Sequence, residues 1–214
     1  MNEVRVSYPT GVGRTSARRA AVRRRRLLLG ACGIGLVLLL VFLTMPTVKK
    51  AVNNAGLPLA YADIIRRQAD DKHLDPALIA GVIYAETKFD PRPSSAGAQG
   101  LMQILPGTAK LLARRSGATT FRVADLATPE VNIAYGSYYL RYLTDHYRGS
   151  TTLALAAYNG GLTNVDRWVA SAHAQGRPLT TNEIPFPETR AYVLKVLRAQ
   201  RKYRSFYSTQ LGYR

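Results

Sequence analysis

The 214-residue chain has one cysteine, one tryptophan and three histidines. A single cysteine excludes an intramolecular disulfide framework. His73, His146 and His173 lie far apart in sequence, and no Cys/His cluster has zinc-ligand spacing, so no metal is expected. No GxxxxGK[ST] loop is present, which excludes a P-loop enzyme, and no other pattern calls for a cofactor. Acidic residues are scarce, 13 Asp+Glu against 30 Lys+Arg, giving a net charge of +17 at pH 7. Strand-type alternation and internal repeats are absent, and the one compositionally biased tract is an arginine cluster. With 47% apolar and 20% charged residues, bulk disorder is excluded. The length accommodates one domain of about 150 residues plus an appendage.

The charge is concentrated at the start. Residues 1–26 hold eight arginines (Arg5, Arg14, Arg18, Arg19, Arg23, Arg24, Arg25, Arg26) against one acid, Glu3, or +7. The uncharged run LLLGACGIGLVLLLVFLTM follows at residues 27–45. As a helix it would extend about 28 Å, close to the roughly 30 Å of a bilayer core. Only Lys49 and Lys50 follow closely, so the positive-inside rule keeps the N-terminus in the cytoplasm and exports the remainder. The expected organisation is a basic cytoplasmic segment at 1–26, a transmembrane helix at 27–45, a linker at 46–58 and an exported domain at 59–214. The domain would then be periplasmic or at the cell surface. Cleavage as a signal peptide is the rival reading, but the nearest small-x-small triplet, Ala60-Tyr61-Ala62, lies far downstream. LGAC at 29–32 resembles a lipoprotein box, yet most of the apolar run follows Cys32, which reads better as a lipid-facing or packing residue. The arginines could also bind nucleic acid. Their position flush against the apolar run favours topology or anionic lipid instead, so no nucleic-acid partner is expected.

The exported part reads as all-helical. YADIIRRQADDKH (61–73) places Tyr61, Ile64 and Ile65 on one face. Asp75-Pro76 is an N-cap followed by proline, after which Leu78, Ile79, Val82 and Ile83 recur at helical spacing. Pro106 opens PGTAKLLARRS, and Thr128-Pro129-Glu130 opens a helix to about Tyr147. Ser150 caps TTLALAAY, which stops at Asn159-Gly160-Gly161. LTNVDRWVASAH and ETRAYVLKVLRAQRKY complete the set. Residues 90–105 and 174–187 form the two longer loops, where function is expected to reside. Trp168 and the tyrosines Tyr135, Tyr138, Tyr139 and Tyr142 read as packing residues, and so does Phe89.

Glu86 is the anomaly. Ile83, Val82 and Ile79 precede it by three, four and seven positions, so it shares the apolar stripe of its own helix. A buried carboxylate is costly, and desolvation and the negative end of the helix dipole both raise its pKa. An acid protonated near neutral pH suits a general acid for a glycosidic oxygen. The plainer alternative is a helix-end glutamate that turns to solvent or bonds an amide.

Four blocks follow in order: ETKFDP (86–91), SSAGAQGLMQILPGTA (94–109), AYNGG (157–161) and EIPFPETRAYV (183–193). Together they resemble the soluble-lytic-transglycosylase family of peptidoglycan-cleaving enzymes, over roughly residues 60–205. The resemblance implies a lysozyme-like helical domain acting on peptidoglycan glycan strands. It aligns Glu86 with the single catalytic acid/base of the family. Ser94 matches a serine near the substrate acetamido group, and Met102 and Gln103 match residues lining the sugar cleft. Tyr158 and Asn159 match the pair facing the glutamate. Glu183 matches an acid supporting the site, and Tyr192 matches the tyrosine that closes it. The segment from Pro91 to Ser94 is one residue shorter than the family spacing. Phe186-Pro187 lengthens the link to the ETR triplet, leaving Glu183 and Glu188 as rivals for one role.

Ordinary glycosidases use two carboxylates, about 5–5.5 Å or roughly 6.5–9.5 Å apart. Second candidates here are Asp90, Glu183 and Glu188, with Asp90 better read as a turn residue before Pro91. The resemblance implies instead that the substrate acetamido group assists at the anomeric carbon. Glu86 would protonate the leaving oxygen of the MurNAc–GlcNAc β-1,4 bond and then deprotonate the C6 hydroxyl of muramic acid, yielding 1,6-anhydro-MurNAc. A muramidase, an inactive wall-binding scaffold and a polybasic nucleic-acid binder are the alternatives. Wall-synthesis or secretion machinery is a further expected partner class.

Overall fold

The computed structural model describes residues 57–91 and 94–213. The apolar run at 27–45 and the linker lie outside the described residues, apart from Leu57 and Pro58. Among the described residues no helix is long and apolar enough to cross a membrane. These residues form seven α-helices: α1 Ala62–Lys72, α2 Pro76–Glu86, α3 Pro106–Ser116, α4 Pro129–His146, α5 Thr151–Gly160, α6 Leu162–Ala174 and α7 Pro187–Phe206. The all-α expectation holds for the described residues. Their only β-type pairing is an isolated bridge between Gln99 and Ile104. Two short 3-10 turns, Val123–Ala127 and Thr181–Glu183, sit in loops that periodicity left featureless.

The helix starts follow from local chemistry. The Asp75 side chain accepts from the Ala77 N–H, and Ser150 accepts from the Leu153 N–H. Proline occupies the first turn of α2, α3, α4 and α7, where its missing N–H costs nothing. Thr128 stands at the start of α4, but its side chain makes no cap bond. Tyr61 departs from the sequence reading. It precedes α1 in a left-handed conformation (φ 56°) and is exposed rather than sharing the face of Ile64 and Ile65.

The central element is α2. Its stripe of Leu78, Ile79, Val82 and Ile83 is only part of what is covered, because Ala77, Ala80, Gly81 and Ala85 are buried too. A helix apolar on all sides belongs inside, and α1 and α7 sheathe this one. Contacts run in opposite directions along α2 and α7. Near the start of α2, Asp75 accepts from Arg204 and from Gln200. At its middle, a Cβ on Gly81 would sit 3.1 Å from the Val196 carbonyl oxygen and 3.2 Å from the Gln200 nitrogen. Gly81 thus permits a close antiparallel crossing. At its end, Ala85 and Glu86 meet Lys195 and Tyr192. Helices α4, α5 and α6 pack in sequence, and α5 also rests on α7.

Candidate functional site

The last residue of α2 is Glu86. The chain then turns sharply: Lys88 and Phe89 both adopt positive φ (53° and 66°), a conformation non-glycine residues hold only when their surroundings fix it. Phe89 packs 6.1 Å from the Tyr203 ring. The Thr87 hydroxyl lies 2.8 Å from the Leu101 carbonyl, joining this turn to the next loop. Together these place the Glu86 carboxyl in a cleft of about 480 Å³ lined by Ala85, Glu86, Thr87, Lys88, Asp90, Ser94, Gln103 and Lys195.

The loop carrying Ser94 and Gln103 is built on glycine and one asparagine. The Ser94 hydroxyl accepts from the Ala98 N–H at 2.9 Å, closing a turn through Gly97 (φ 76°). Gln99 and Ile104 exchange backbone hydrogen bonds, both 3.0 Å, across a tight hairpin. Asn132 of α4, fully buried, pins that hairpin. Its Oδ1 accepts from the Met102 N–H at 2.8 Å, and its Nδ2 donates to the Gln99 and Leu126 carbonyls. Gly100 has φ 72°, and a Cβ there would fall 2.0 Å from Asn132 Nδ2. Both facts require glycine at this position. Gln103, also at positive φ, donates from Nε2 to the Gly100 carbonyl.

The Tyr192 hydroxyl of α7 donates to Glu86 Oε1 at 2.8 Å. Burial pushes the Glu86 carboxyl up to about 7, while the Tyr192 hydroxyl and the Lys195 ammonium pull the other way. The Tyr158 hydroxyl of α5 donates to the Met102 carbonyl at 2.8 Å. Burial, reinforced by the charge of Glu86, holds the Tyr158 and Tyr192 phenols protonated well beyond their ordinary range. Both remain hydrogen-bond donors at any pH at which Glu86 titrates.

Glu86, Ser94 and Gln103 therefore line one cleft, with Tyr192 bonded directly to the glutamate and Tyr158 anchoring the wall behind it. Asn159, exposed at the end of α5, is not among the lining residues. Its Oδ1 accepts from the Thr189 hydroxyl at 2.8 Å, which ties α5 to α7. Two expectations need correction. The Met102 side chain does not line the cleft. It is fully buried against Gly136, where an added Cβ would meet its sulfur at 2.3 Å. Only its backbone serves the site. Glu183 does not support the site either. It lies on the surface turn Thr181–Glu183, where it accepts from the Thr180 N–H and hydroxyl and pairs with Arg177. The loop at 174–187 supplies no lining residue to the cleft; it is largely exposed, held by buried Ile184 and by Phe186 set edge-on to Trp168 at 4.8 Å. Glu188 is exposed in the first turn of α7. Asp90 does line the cleft, from a turn in which its N–H bonds the Thr87 carbonyl. Sequence reasoning missed Asn132, Thr189 and Lys195. Lys195 had a signal: three residues after Tyr192, it shares that residue's helical face.

The family model described as Transglycosylase SLT domain matches residues 63–179. The soluble lytic murein transglycosylase of Salmonella typhimurium is 35% identical over 152 residues, covering 70% of this chain and 24% of that protein. The membrane-bound lytic murein transglycosylase C of Actinobacillus pleuropneumoniae is 33% identical over 166 residues, covering 67% of this chain and 45% of that protein. Among solved structures, the 70-kDa soluble lytic transglycosylase of Escherichia coli superposes with a TM-score of 0.66 at 32% identity, over 74% of this chain and 27% of that one. The chain thus spans about a quarter of the length of these soluble relatives. The helical domain has the lysozyme-like fold.

Proposed function

The chain belongs to the transglycosylase SLT domain family, and from that premise and the Glu86 cleft we propose that it is a membrane-anchored peptidoglycan lytic transglycosylase. It cleaves the MurNAc–GlcNAc β-1,4 bond without water. The observation that carries this reading is one carboxyl, pushed up to about 7, in a cleft with a hydroxyl donor on one of its oxygens. Oε1 accepts from Tyr192, so Oε2 carries the proton. Glu86 passes that proton to the glycosidic oxygen as the bond to the anomeric carbon breaks. The substrate acetamido oxygen bonds that carbon in the meantime. Glu86, now a carboxylate, takes the proton of the C6 hydroxyl, and the C6 oxygen displaces the acetamido oxygen. The 1,6-anhydro ring forms and the glutamate regains its proton. A pKa near working pH suits a group that must be acid and then base. In this reading Ser94 and Gln103, which line the cleft, contact the sugar, and Asn159 acts indirectly by tying α5 to α7 through Thr189.

The anchor reading places 1–26 in the cytoplasm, 27–45 across the inner membrane, 46–58 as linker and 59–214 outside. It rests on the uncharged 19-residue run after the arginines, and on a relative whose own name describes it as membrane-bound. Resistance of the full chain to carbonate extraction from membranes is the expected result.

Mass analysis of products from purified peptidoglycan tests the activity. Muropeptides ending in 1,6-anhydro-MurNAc, absent with Glu86→Gln, are expected. The presence of Asp90 on the same cleft keeps one second reading, a muramidase with Asp90 as base. That enzyme would release reducing-end products one water heavier.

A further inference from the structure

We propose that Lys195 is a positioning residue for the reaction, placing a fixed positive charge against the last turn of α2, where Glu86 becomes negative on releasing its proton. This rests on the reading of Glu86 as the proton donor. The Lys195 ammonium donates to the Ala85 carbonyl oxygen at 2.5 Å, one residue before the glutamate. It lines the same cleft, and it stands one turn beyond Tyr192 on α7. One helical face thus brings a hydroxyl and an ammonium to the same end of α2.

The end of α2 needs that charge. A helix C-terminus exposes unpaired carbonyls and carries partial negative charge, so a glutamate there is of the wrong sign. Helix α2 has no basic residue in its last turn, and α7 supplies one. The other groups facing Glu86 do not replace it. The Tyr158 and Tyr192 phenols are neutral. Lys88 and Asp90, of opposite sign, sit exposed on the rim, where water screens them. Lys195 is half-buried, and its pull on the Glu86 charge opposes desolvation. An interaction that strengthens as charge develops lowers the barrier without tightening substrate binding.

The rival role is a plain helix cap, satisfying the Ala85 carbonyl and nothing more. Two variants of the full chain in detergent separate them. Lys195→Gln keeps a donor for that carbonyl and drops the charge, whereas Lys195→Arg keeps the charge. The readouts are a 13C titration of the Glu86 carboxyl, assigned by difference from Glu86→Gln, and the pH profile of anhydro-muropeptide release. With Lys195→Gln the carboxyl is expected to titrate about one unit higher, with the alkaline limb of kcat/KM moving alongside. The rate constant kcat should fall while KM holds. Lys195→Arg should titrate as the native protein does. A Lys195→Gln protein with the native carboxyl titration, or a Lys195→Arg protein as impaired as Lys195→Gln, would overturn the proposal. If the native chain releases no anhydro product, the activity reading fails by itself, and the carboxyl titration still decides the role of Lys195.

Discussion

Replacing Glu86 with glutamine should abolish activity and, above mildly acidic pH, stabilise the protein. The carboxyl has an ordinary value of 4.5 and is pushed up to about 7 in the folded chain. Between those values the native state keeps a proton that the unfolded chain has already released. Stability therefore falls as pH rises through that window, and the full penalty is present above about pH 7. A shift of this size corresponds to about 3 kcal/mol, and water reaching the cleft lowers it to about 2–3 kcal/mol. The amide of Glu86→Gln has nearly the same shape, can accept from Tyr192 through its oxygen and never ionises. The two proteins should be equally stable at pH 4, and the variant should lead by about 2–3 kcal/mol at pH 8. With a urea slope of about 2 kcal/mol per molar, the midpoint moves by roughly 1 M. Trp168, the only tryptophan in the chain, packs against Phe186, so its fluorescence follows this domain regardless of the N-terminal segment. Parallel stability curves from pH 4 to 8 would refute the claim that Glu86 is held in a desolvated cleft.

Other substitutions test the supports of the site. Tyr192→Phe removes the donor to Glu86 Oε1, so the carboxyl should titrate about one unit higher and the alkaline limb of kcat/KM should follow. Asn132→Ala strands the Met102 N–H and the Leu126 carbonyl and leaves the Gln99 carbonyl with only its Ile104 partner. Denaturant unfolding should show a loss of about 3 kcal/mol or more, with activity lost as the hairpin loosens. Gly100→Ala demands a strained φ and overlaps the Asn132 amide, and should yield little folded protein by circular dichroism. Glu183→Gln touches only the surface turn, so release of muropeptides should match the native rate.

The helices were legible because their starts are written locally. Asp75-Pro76, Pro106 and Ser150 each announce one within two or three residues, and the Asn159-Gly160-Gly161 stop of α5 is equally local. Glu86 was legible because a carboxylate contradicts the apolar spacing around it. What escaped notice is non-local. Asn132 reaches Met102 and Gln99 across about thirty residues, and nothing around it in sequence marks it as more than a helix-surface amide. Lys195 reads as one of many basic residues on α7 until α2 is packed against that helix. Met102 sits in a motif whose neighbours do line the cleft. The positive φ of Gln103 and the burial of Leu101, Met102 and Ile104 decide which side chains turn inward, and that is fixed only when α4 closes over the hairpin. Glu183 failed for the opposite reason. Its bonds are all local, so a capping turn satisfies it at the surface.

The pairing of α2 with α7 links stability to chemistry in one element. The same antiparallel contact that buries Ile79 and Val196 carries Asp75 to Arg204 at one end and Glu86 to Tyr192 at the other. Gly81 sets how close the two backbones come, so it also sets the reach of Tyr192 and Lys195 to the end of α2. Burial raises the glutamate, and α7 supplies the two groups, Tyr192 and Lys195, that restrain the rise. The acid strength of Glu86 therefore depends on how α7 packs against α2 as well as on the turn that follows it in sequence. Two helices locked along their length hold that packing more firmly than a loop could.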